Sequence, residues 1–471
     1  MNIIIQNANK LFLFFLSFQN LYLLIIKIIS MTSRYIEIRP DNIPADGKIS
    51  FKNGFPVLSF TISAQDGLLD PSTIRIVGDF NAYKDNLTTP TPLRNGDNVT
   101  MNNRLGIYNV VESLTIRAVK SKMICESIRH YSKYMNTYLA LNSSLQDQMG
   151  HLGETCLIMP NATSFRKSVM ESPAGGTQTN SFSFHVPSGF MMSGNMVNLR
   201  DDAFGGLQLE FLLQPDSNVL YSDAGSTTGI GDAHYELSNL KLCCEINDFS
   251  DEPTGNQSQG VMEFNTITSL YTSINSTNAQ LQYNLALRNV ISAFATFVPV
   301  NFINSLTSDG QVTVYPSGKD SSDTELAFIK RVQFLKGGAK FPADFDYVNS
   351  IEDDANTQLP DPEIVRNLVD AVSPDYTSDR FSISPANMNR DYSMTPSTTT
   401  DTAYNLIPEG GSVMGLGIKY GIGGAGEDFS TEQFGLSIES ELNRDHPIGV
   451  YIFVKSRAQL VFSPNGVQLI Q

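Results

Sequence analysis

The residues with the most recognisable chemical spacing are three glycines, Gly421, Gly423 and Gly426, which form a literal GxGxxG sequence. In dinucleotide-binding proteins this motif joins a strand to a helix, so that the helix N-terminus meets the pyrophosphate. A strand is predicted before the motif, but Glu427 and Asp428 follow it where phosphate would lie, and no helical apolar pattern comes next. The motif is therefore interpreted as a flexible loop between strands, and no cofactor is predicted.

Metal-ligand spacing is weak throughout the chain. The five histidines form neither HExxH nor HxH. His151, Glu154 and Cys156 are close in sequence, but neither helix nor strand geometry would aim all three at one ion. The acidic stretch 344–354 fails the EF-hand spacing, because Val348 occupies a ligand position and no glycine follows it. No metal site is predicted.

Nucleophilic catalysis lacks its usual signatures. No GxSxG is present and no serine has a histidine partner nearby in sequence, so no catalytic residue is predicted and the protein is not expected to be an enzyme. The cysteines form no CxxC. They are interpreted as small buried thiols without reactivity, at Cys125, Cys156, Cys243 and Cys244.

Charge is spread along the chain, with one basic cluster of note at Lys330, Arg331, Lys336 and Lys340. Such a cluster suits contact with phosphate or with an acidic partner, and it also suits a solvated strand edge, which is the commoner case. The net charge is −16, from 32 basic and 48 acidic side chains. Because phosphate binding needs clustered Lys and Arg, we expect no sequence-specific nucleic-acid partner.

The composition predicts many short strands. Only 17% of the 471 residues are charged, below the roughly 25% of ordinary globular chains, and Ser, Thr, Asn and Gly take their place. The 28 Phe and 18 Tyr supply a large core. A single core stops growing at roughly 250–300 residues, so two domains are expected. This mixture argues against coiled coil, helical repeat and disorder.

The first 30 residues differ from the rest. Residues 11–29 form an apolar stretch of 19 residues, close to the length that spans a bilayer, but Gln19, Asn20 and Lys27 interrupt it. A signal peptide would need a basic start and a small-residue cleavage site, which the segment lacks. The interpretation we favour is that translation starts at Met31, so that residues 1–30 are an apolar extension that is not translated or not ordered.

Alternating apolar residues predict the elements of the first half. Strands are predicted at 34–38, 57–62, 73–77, 113–119, 181–186, 207–213 and 235–246, with a turn at 69–71 and one amphipathic helix over 125–141. Residues 247–260 contain no aliphatic side chain and are rich in Pro, Gly and acids. They mark the predicted boundary between a first domain, residues 31–250, and a second, residues 251–471.

The second half repeats this style. Strands are predicted at 281–287, 326–334, 413–420, 434–441 and 448–462, and a terminal hairpin turns at 463–466. Short helices are predicted within 289–297 and over 360–372, and the polar stretch 375–402 is interpreted as an arm that packs on a neighbouring domain or subunit. Strands at this spacing, without regular βαβ alternation, indicate two sandwiches.

The order of these segments resembles the double jelly-roll major capsid proteins of small eukaryotic double-stranded DNA viruses, the Polinton-like and virophage-related group. The resemblance covers most of residues 34–471 and rests on order and spacing. Its carrying segments are the early strands with Leu69-Asp70-Pro71, the strand and helix over 114–141, FSFHVPSG at 182–189, GGLQLE at 205–210, the strand at 235–245, FLKGGAKFP at 334–342, and the terminal strands at 449–461 and 467–470.

The resemblance implies an all-β fold of two eight-stranded jelly rolls side by side, with short helices in loops. It implies a structural protein that forms homotrimers of pseudo-sixfold outline, which build an icosahedral virion shell in the infected host cell. The expected partners are other copies of the chain, penton and minor capsid proteins, and an internal membrane beneath the shell.

Two alternatives stay open at this point. A two-domain β-rich hydrolase with a dispersed site has no positive feature in its favour. A secreted or surface β-sandwich binding protein, such as a lectin or adhesin, is supported by the apolar N-terminus and by six Asn-x-Ser/Thr sequons, at Asn86, Asn98, Asn142, Asn161, Asn256 and Asn275.

Overall fold

Two β-sandwiches follow one another along the chain in the computed structural model. The structure describes residues 32–64, 67–84, 88–89, 91–93, 99–102, 105–143, 147, 151–158, 180–200, 204–222, 231–248, 260–311, 328–341, 347–348, 362–372, 415–420, 426–441, 447–463 and 466–471. Among the helices of these residues, none combines the length and the hydropathy of a membrane-spanning segment.

The first sandwich is formed by strands β1 (Thr32–Ile38), β2 (Lys48–Ile49), β3 (Val57–Ser63), β4 (Leu68–Tyr83), β5 (Val99–Thr100), β6 (Val111–Ala118), β7 (Ile124–Arg129), β8 (Asn180–His185), β9 (Val197–Asn198), β10 (Gly206–Leu213), β11 (Tyr221–Ser222) and β12 (His234–Asp248). Its connections hold helices α1 (Tyr131–Asn142), α2 (His151–Cys156) and α3 (Asp216–Val219), and a 3-10 turn at Gly106–Val110.

The second sandwich is formed by strands β13 (Gly260–Ile274), β14 (Asn278–Tyr283), β15 (Val290–Pro299), β16 (Phe328–Lys336), β17 (Ala339–Lys340), β18 (Tyr347–Val348), β19 (Gly415–Lys419), β20 (Phe434–Glu441), β21 (Ile448–Ser463) and β22 (Gly466–Ile470). Its connections hold a 3-10 turn at Val300–Phe302 and helix α4 (Pro362–Val372).

Both sandwiches have the same strand order, which is that of a jelly roll. In the first, sheet I runs β1-β12-β4-β8 and sheet II runs β3-β10-β6-β7; in the second, sheet III runs β13-β21-β15-β19 and sheet IV runs β14-β20-β16-β17. If the eight principal strands of each sandwich are numbered in chain order, sheets I and III both read 1-8-3-6 and sheets II and IV both read 2-7-4-5. All pairings are antiparallel among the described residues, as jelly rolls require.

The strands alternate between a buried and a solvated face because one face of each sheet packs on its partner sheet. In β6, Leu114, Ile116 and Ala118 are buried while Thr115 and Arg117 are partly exposed. Period-2 alternation places such residues on opposite faces of a strand. The paired strand β10 has the same pattern in register, so the apolar residues of both strands enter one core.

The apolar core of the first sandwich extends into the second. The second sandwich has its own core between sheets III and IV, with Phe297, Phe334 and Leu436 at its centre. The opposite, outer face of sheet III, including Phe294 and Phe453, instead belongs to the core of the first sandwich. The apolar residues at the interface between the two jelly rolls therefore belong to one continuous buried core.

Most predicted strands are confirmed. The predictions at 113–119, 207–213, 235–246, 434–441 and 448–462 each fall on an observed strand, with differences of one or two residues at the ends. The helix at 360–372 is confirmed as α4, and the terminal hairpin is confirmed by the pairing of β21 with β22. The arm at 375–402 lies outside the described residues, as do residues 1–30.

Three predictions of elements are wrong. The helix predicted over 125–141 begins only at Tyr131, because residues 124–129 form strand β7 and pair with β6. His130, with a left-handed backbone at φ 54°, then changes the direction of the chain between strand and helix. The helix predicted within 289–297 is strand β15, whose residues are all buried. A strand buried on both faces shows no alternation, so its apolar run is ambiguous in sequence.

The third error is the turn predicted at 69–71. Asp70 and Pro71 lie inside the continuous strand β4, at an irregularity in its pairing with β12. The Asp70 carboxylate accepts hydrogen bonds from the backbone N–H and the hydroxyl of Ser72, at 3.0 and 2.6 Å. These two local hydrogen bonds replace strand pairing where the register of β4 and β12 shifts. The turn-forming sequence can therefore remain inside a strand.

Candidate functional site between the two jelly rolls

The interface between the jelly rolls is organised around helix α1. His130 adopts a left-handed conformation at the start of the helix and turns the chain out of sheet II. The helix then lies against the outer face of sheet III, where the Tyr134 ring is 6.1 Å from Phe294 and 5.8 Å from Phe453. Phe294 and Phe453 stack on each other at 5.0 Å. These aromatic rings bury a large apolar area between the two sandwiches.

A second aromatic group lies at the beginning of α1. The His130 ring is 5.0 Å from Tyr451 and 5.5 Å from Tyr271, and the two tyrosines are 4.7 Å apart. Nδ1 of His130 is 2.7 Å from Oε1 of Glu112 on β6. This contact holds the imidazole in place against the second jelly roll.

Glu126 on β7 connects the two jelly rolls through a buried carboxylate. Oε2 accepts a hydrogen bond from Phe190 N (2.9 Å), and Oε1 accepts from Gly189 N (3.3 Å) and from Ile267 N on β13 (3.2 Å). Burial raises the pKa of this carboxyl above its ordinary value, and the hydrogen bonds it accepts oppose that shift. The carboxylate thus satisfies backbone N–H groups of both sandwiches, which would otherwise be buried without acceptors.

The loop after β8 approaches β13 so closely that only glycine fits at position 189. A Cβ atom at Gly189 would lie 1.5 Å from the carbonyl oxygen of Asn265. On either side of this contact, aromatic pairs cross the interface, with Phe190 and Phe264 at 5.4 Å and Phe204 and Phe462 at 5.5 Å. Gly189 therefore sets the distance between the backbones of the two jelly rolls.

A loop of the second jelly roll, residues 303–311, returns to the first. Its cross-interface hydrogen bonds run from Ser222 N to Leu306 O (2.6 Å), from Asn102 Nδ2 to Asp309 Oδ2 (2.7 Å) and from Gln311 Nε2 to Asn109 Oδ1 (2.8 Å). Asn102, Asn109, Asp309 and Gln311 are all buried. Buried hydrogen bonds of this kind fix one relative placement, since any shift would leave polar groups without partners.

Lys133 on α1 is a buried cation in the same region. Its ammonium donates to the carbonyl oxygen of Gly310 and lies 5.5 Å from the centre of the Tyr451 ring. Burial lowers the pKa of Lys133 to about 8, while Asp309 and Glu112 act in the opposite direction. The cation attaches α1 to the returning loop, in addition to the aromatic contacts.

The glycine-rich motif is only partly within the described residues, since 421–425 lie outside them. Gly426, at φ 67°, packs on the backbone of Asn289, and Glu427 exchanges two backbone hydrogen bonds of 2.8 Å with Val290. The next element is strand β20 and not a helix. The described part of the motif therefore lies beside β15 and lacks the helix N-terminus that a dinucleotide site uses.

The residues considered as metal ligands do not come together. Cys156 is buried at the end of α2, with its sulfur 3.9 Å from Ser183 O, while His151 is exposed at the start of that helix. Within the described ranges, no three His, Cys, Asp or Glu side chains are placed to hold a metal ion. The acidic residues of 344–354 lie outside those ranges.

The basic cluster is divided between separate acidic partners. Nζ of Lys336 is 2.6 Å from Glu427 and 3.7 Å from Glu432, and Arg331 is 3.7 Å from Glu439. Lys336 also lies over the rings of Phe341 and Phe429. These contacts pair two members of the cluster with acidic side chains of the same chain, so they favour the structural interpretation over phosphate binding.

The cysteines are buried and free, as predicted from their residue type. Burial raises the pKa of Cys125 and of Cys244 to about 12, which keeps both thiols protonated at neutral pH. Sequence reasoning did not identify the interface residues, because Glu126, His130 and Lys133 fell inside a predicted helix. The segment at 182–189, which was singled out for the family resemblance, did contain one interface residue, Gly189.

Comparison with known proteins shows the fold. No protein-family model and no curated protein sequence matches the chain. The PBCV-1 virus capsid matches over 94% of this chain and 97% of that chain, with 11% identity and a TM-score of 0.54. The Faustovirus major capsid protein matches over 92% and 91%, with 9% identity and a TM-score of 0.54.

The cryo-EM structure of the Sputnik virophage matches over 93% of this chain and 88% of that chain, with 10% identity and a TM-score of 0.52. At such low identity these likenesses concern the fold. The chain has the double jelly-roll fold of these viral capsid structures, in agreement with its repeated 1-8-3-6 and 2-7-4-5 sheets.

Proposed function

We propose that this protein is a viral major capsid protein, a structural subunit whose three copies form a pseudo-hexameric capsomer of an icosahedral shell. The observation that carries the proposal is the buried interface that holds two jelly rolls of identical topology in one relative placement. A subunit that tiles a shell must present the same outline in every copy, and a fixed pair of jelly rolls meets that requirement. The fold it shares with viral capsid structures supports the same role.

The charge of the chain supports a shell that encloses its genome without condensing it. The net charge is −16, and the two basic side chains Arg331 and Lys336 are paired with acids. Neutralisation of phosphate requires unpaired cations in clusters. We therefore assign the protein to the virion shell, with a structural and not a catalytic role.

The finer assignments follow from the same proposal. The chain divides into a first jelly-roll domain, residues 31–250, and a second, residues 251–471. Its main partners are other copies of itself, within the trimer and between capsomers. Penton and minor capsid proteins and an internal membrane are the further partners that a shell of this kind would contact.

Light scattering and negative-stain imaging of the purified chain test the proposal. A trimer would have about 155 kDa, three times the 51.8 kDa of the chain, and a hexagonal outline. An obligate interface that holds such a trimer should bury more than about 2,000 Å². A stable monomer at every concentration and salt condition would contradict the proposal.

A further inference from the structure

The loop between β8 and β9, residues 186–196, carries two exposed methionines. Met192 is 58% exposed and Met196 is 46% exposed. The other methionines of the described ranges all belong to the first apolar core or pack against it, at Met101, Met123, Met135, Met191 and Met262. Solvent therefore reaches the side chain of Met192 but not that of its chain neighbour Met191, which is 2% exposed.

Each of the two exposed sulfur atoms faces a hydrogen-bond donor from another element. The Tyr138 hydroxyl, on α1, donates to Sδ of Met192 at 3.4 Å. Nδ2 of Asn247, on β12, donates to Sδ of Met196 at 3.8 Å. A thioether sulfur is only a weak acceptor, so an oxygen atom bonded to either sulfur would form the stronger hydrogen bond with the same donor.

The loop that carries these methionines is anchored by contacts that do not involve sulfur. The Tyr131 hydroxyl donates to the carbonyl oxygen of Pro187 at 2.9 Å. Nδ2 of Asn195 donates to the carbonyl oxygen of Glu263 on β13 at 2.7 Å. A chemical change at the two sulfur atoms would therefore leave the attachment of the loop to α1 and to the second jelly roll in place.

We propose that Met192 and Met196 are modification sites for hydroperoxides, and that the fold accommodates their sulfoxides because a donor already faces each sulfur. The sulfur attacks the terminal oxygen of the hydroperoxide, so that an S–O bond forms and the O–O bond breaks. The sulfur loses two electrons, and the proton of the transferred oxygen moves to the departing oxygen, which leaves as water or an alcohol. A methionine sulfoxide reductase would reverse the change. The inference goes beyond the proposed shell and does not depend on trimer formation.

Graded oxidation of the folded full-length chain with hydrogen peroxide tests the sites. Tandem mass spectrometry assigns each added oxygen atom to one methionine. We expect Met192 and Met196 to be oxidised at least about tenfold faster than Met191 and Met135, because the reaction requires access to the sulfur. The double variant Met192→Leu and Met196→Leu, which conserves side-chain volume, should lose the fast phase, and the matched control Met191→Leu should keep it. Oxidation of all four at similar rates would overturn the assignment.

Tyr138→Phe tests whether the donor accommodates the sulfoxide. The variant keeps the aromatic ring and removes the hydroxyl, so the oxygen added to Met192 loses its partner within the chain. We expect limited oxidation to lower the melting temperature of this variant by about 1 °C more than that of the wild type, the effect of one hydrogen bond in a chain of this length. Tyr283→Phe, on β14 of sheet IV, is the control and should respond to oxidation like the wild type. Equal shifts in Tyr138→Phe and the wild type would overturn the role of the donor.

Discussion

At the scale of single residues, the interface between the jelly rolls depends on buried ionisable groups. Glu126 is 2% exposed and accepts three backbone hydrogen bonds from two jelly rolls. A carboxylate suits this position because it offers only acceptors, and the three backbone groups that point at it, from Gly189, Phe190 and Ile267, are N–H donors. The hydrogen bonds offset only part of its desolvation, since its pKa stays raised, so its protonation and its replacement should both affect stability.

The variant Glu126→Gln tests this role. The amide nitrogen would place a donor against a backbone N–H, so we expect the free energy of unfolding to fall by about 1–3 kcal/mol. Since the folded-state pKa of Glu126 is raised, the wild type gains stability as pH falls through that pKa towards the unfolded value, and the variant does not. The free energies of unfolding of the wild type and the variant, measured in urea, should therefore differ more in acid than at neutral pH. Glu210→Gln, on a partly exposed side chain, is the control, and equal losses in both variants would contradict the assignment.

Asp216, at the start of α3, gives a second pH-dependent prediction. Its Oδ1 accepts a hydrogen bond from Tyr235 N (2.9 Å), and burial raises its pKa to about 6, while that hydrogen bond and Lys52 oppose the shift. The folded state therefore binds the proton more tightly than the unfolded chain. The stability that this provides is complete below about pH 4 and is lost as pH rises to about 6.

Asp216→Asn retains an acceptor for Tyr235 and removes the charge. We expect it to raise the free energy of unfolding by up to about 3 kcal/mol near pH 7 and by little near pH 4. Chemical denaturation at the two pH values measures this difference. The exposed Asp232, changed to Asn, should have a small effect at both, and a destabilised Asp216→Asn at neutral pH would refute the prediction.

At the scale of elements, the contact of the loop after β8 with β13 sets the spacing of the jelly rolls. A methyl group at position 189 would overlap the Asn265 carbonyl, which belongs to a paired strand and cannot move alone. We expect Gly189→Ala to lower the free energy of unfolding by about 3 kcal/mol or more, because strand and loop must separate. Thermal unfolding gives the comparison with Gly231→Ala, where a Cβ meets no atom within 4 Å. Similar melting temperatures for the two variants would contradict the close contact.

The strands differ in how well their sequence pattern predicts them. Strands with one solvent-facing side, such as β6 and β10, alternate between apolar and polar residues, so the sequence predicts them. Strand β15 is buried on both faces, so its apolar run also suited a helix. Strand β7 was included in the predicted helix because Ile128 lies three residues before Tyr131, which is the spacing of apolar residues on one face of a helix. The pairings between distant strands, and hence the interface, depend on contacts that no local pattern encodes.

At the scale of the whole molecule, two copies of one topology are joined through a common core. The core of the first jelly roll includes residues from β13, β15, α4 and β21 of the second. Separation of the jelly rolls would expose Phe294, Tyr451 and Phe453 together, an apolar patch that a soluble protein does not tolerate. The two sandwiches should therefore be stable only as a pair.

This architecture predicts one cooperative unfolding transition for the whole chain. Phe453→Ala, on the interface side of sheet III, removes contacts with both Tyr134 and Phe294 and should cost about 3–5 kcal/mol. For a chain of this length that corresponds to a fall in Tm of roughly 3–5 °C. Calorimetry should show a single peak in both proteins, with equal calorimetric and van't Hoff enthalpies, because loss of the interface unfolds both jelly rolls. Phe55→Ala, at a residue 43% exposed in a loop, should barely move the peak. If Phe453→Ala splits the peak in two, with only one part shifted, the jelly rolls unfold separately and the shared core does not couple them.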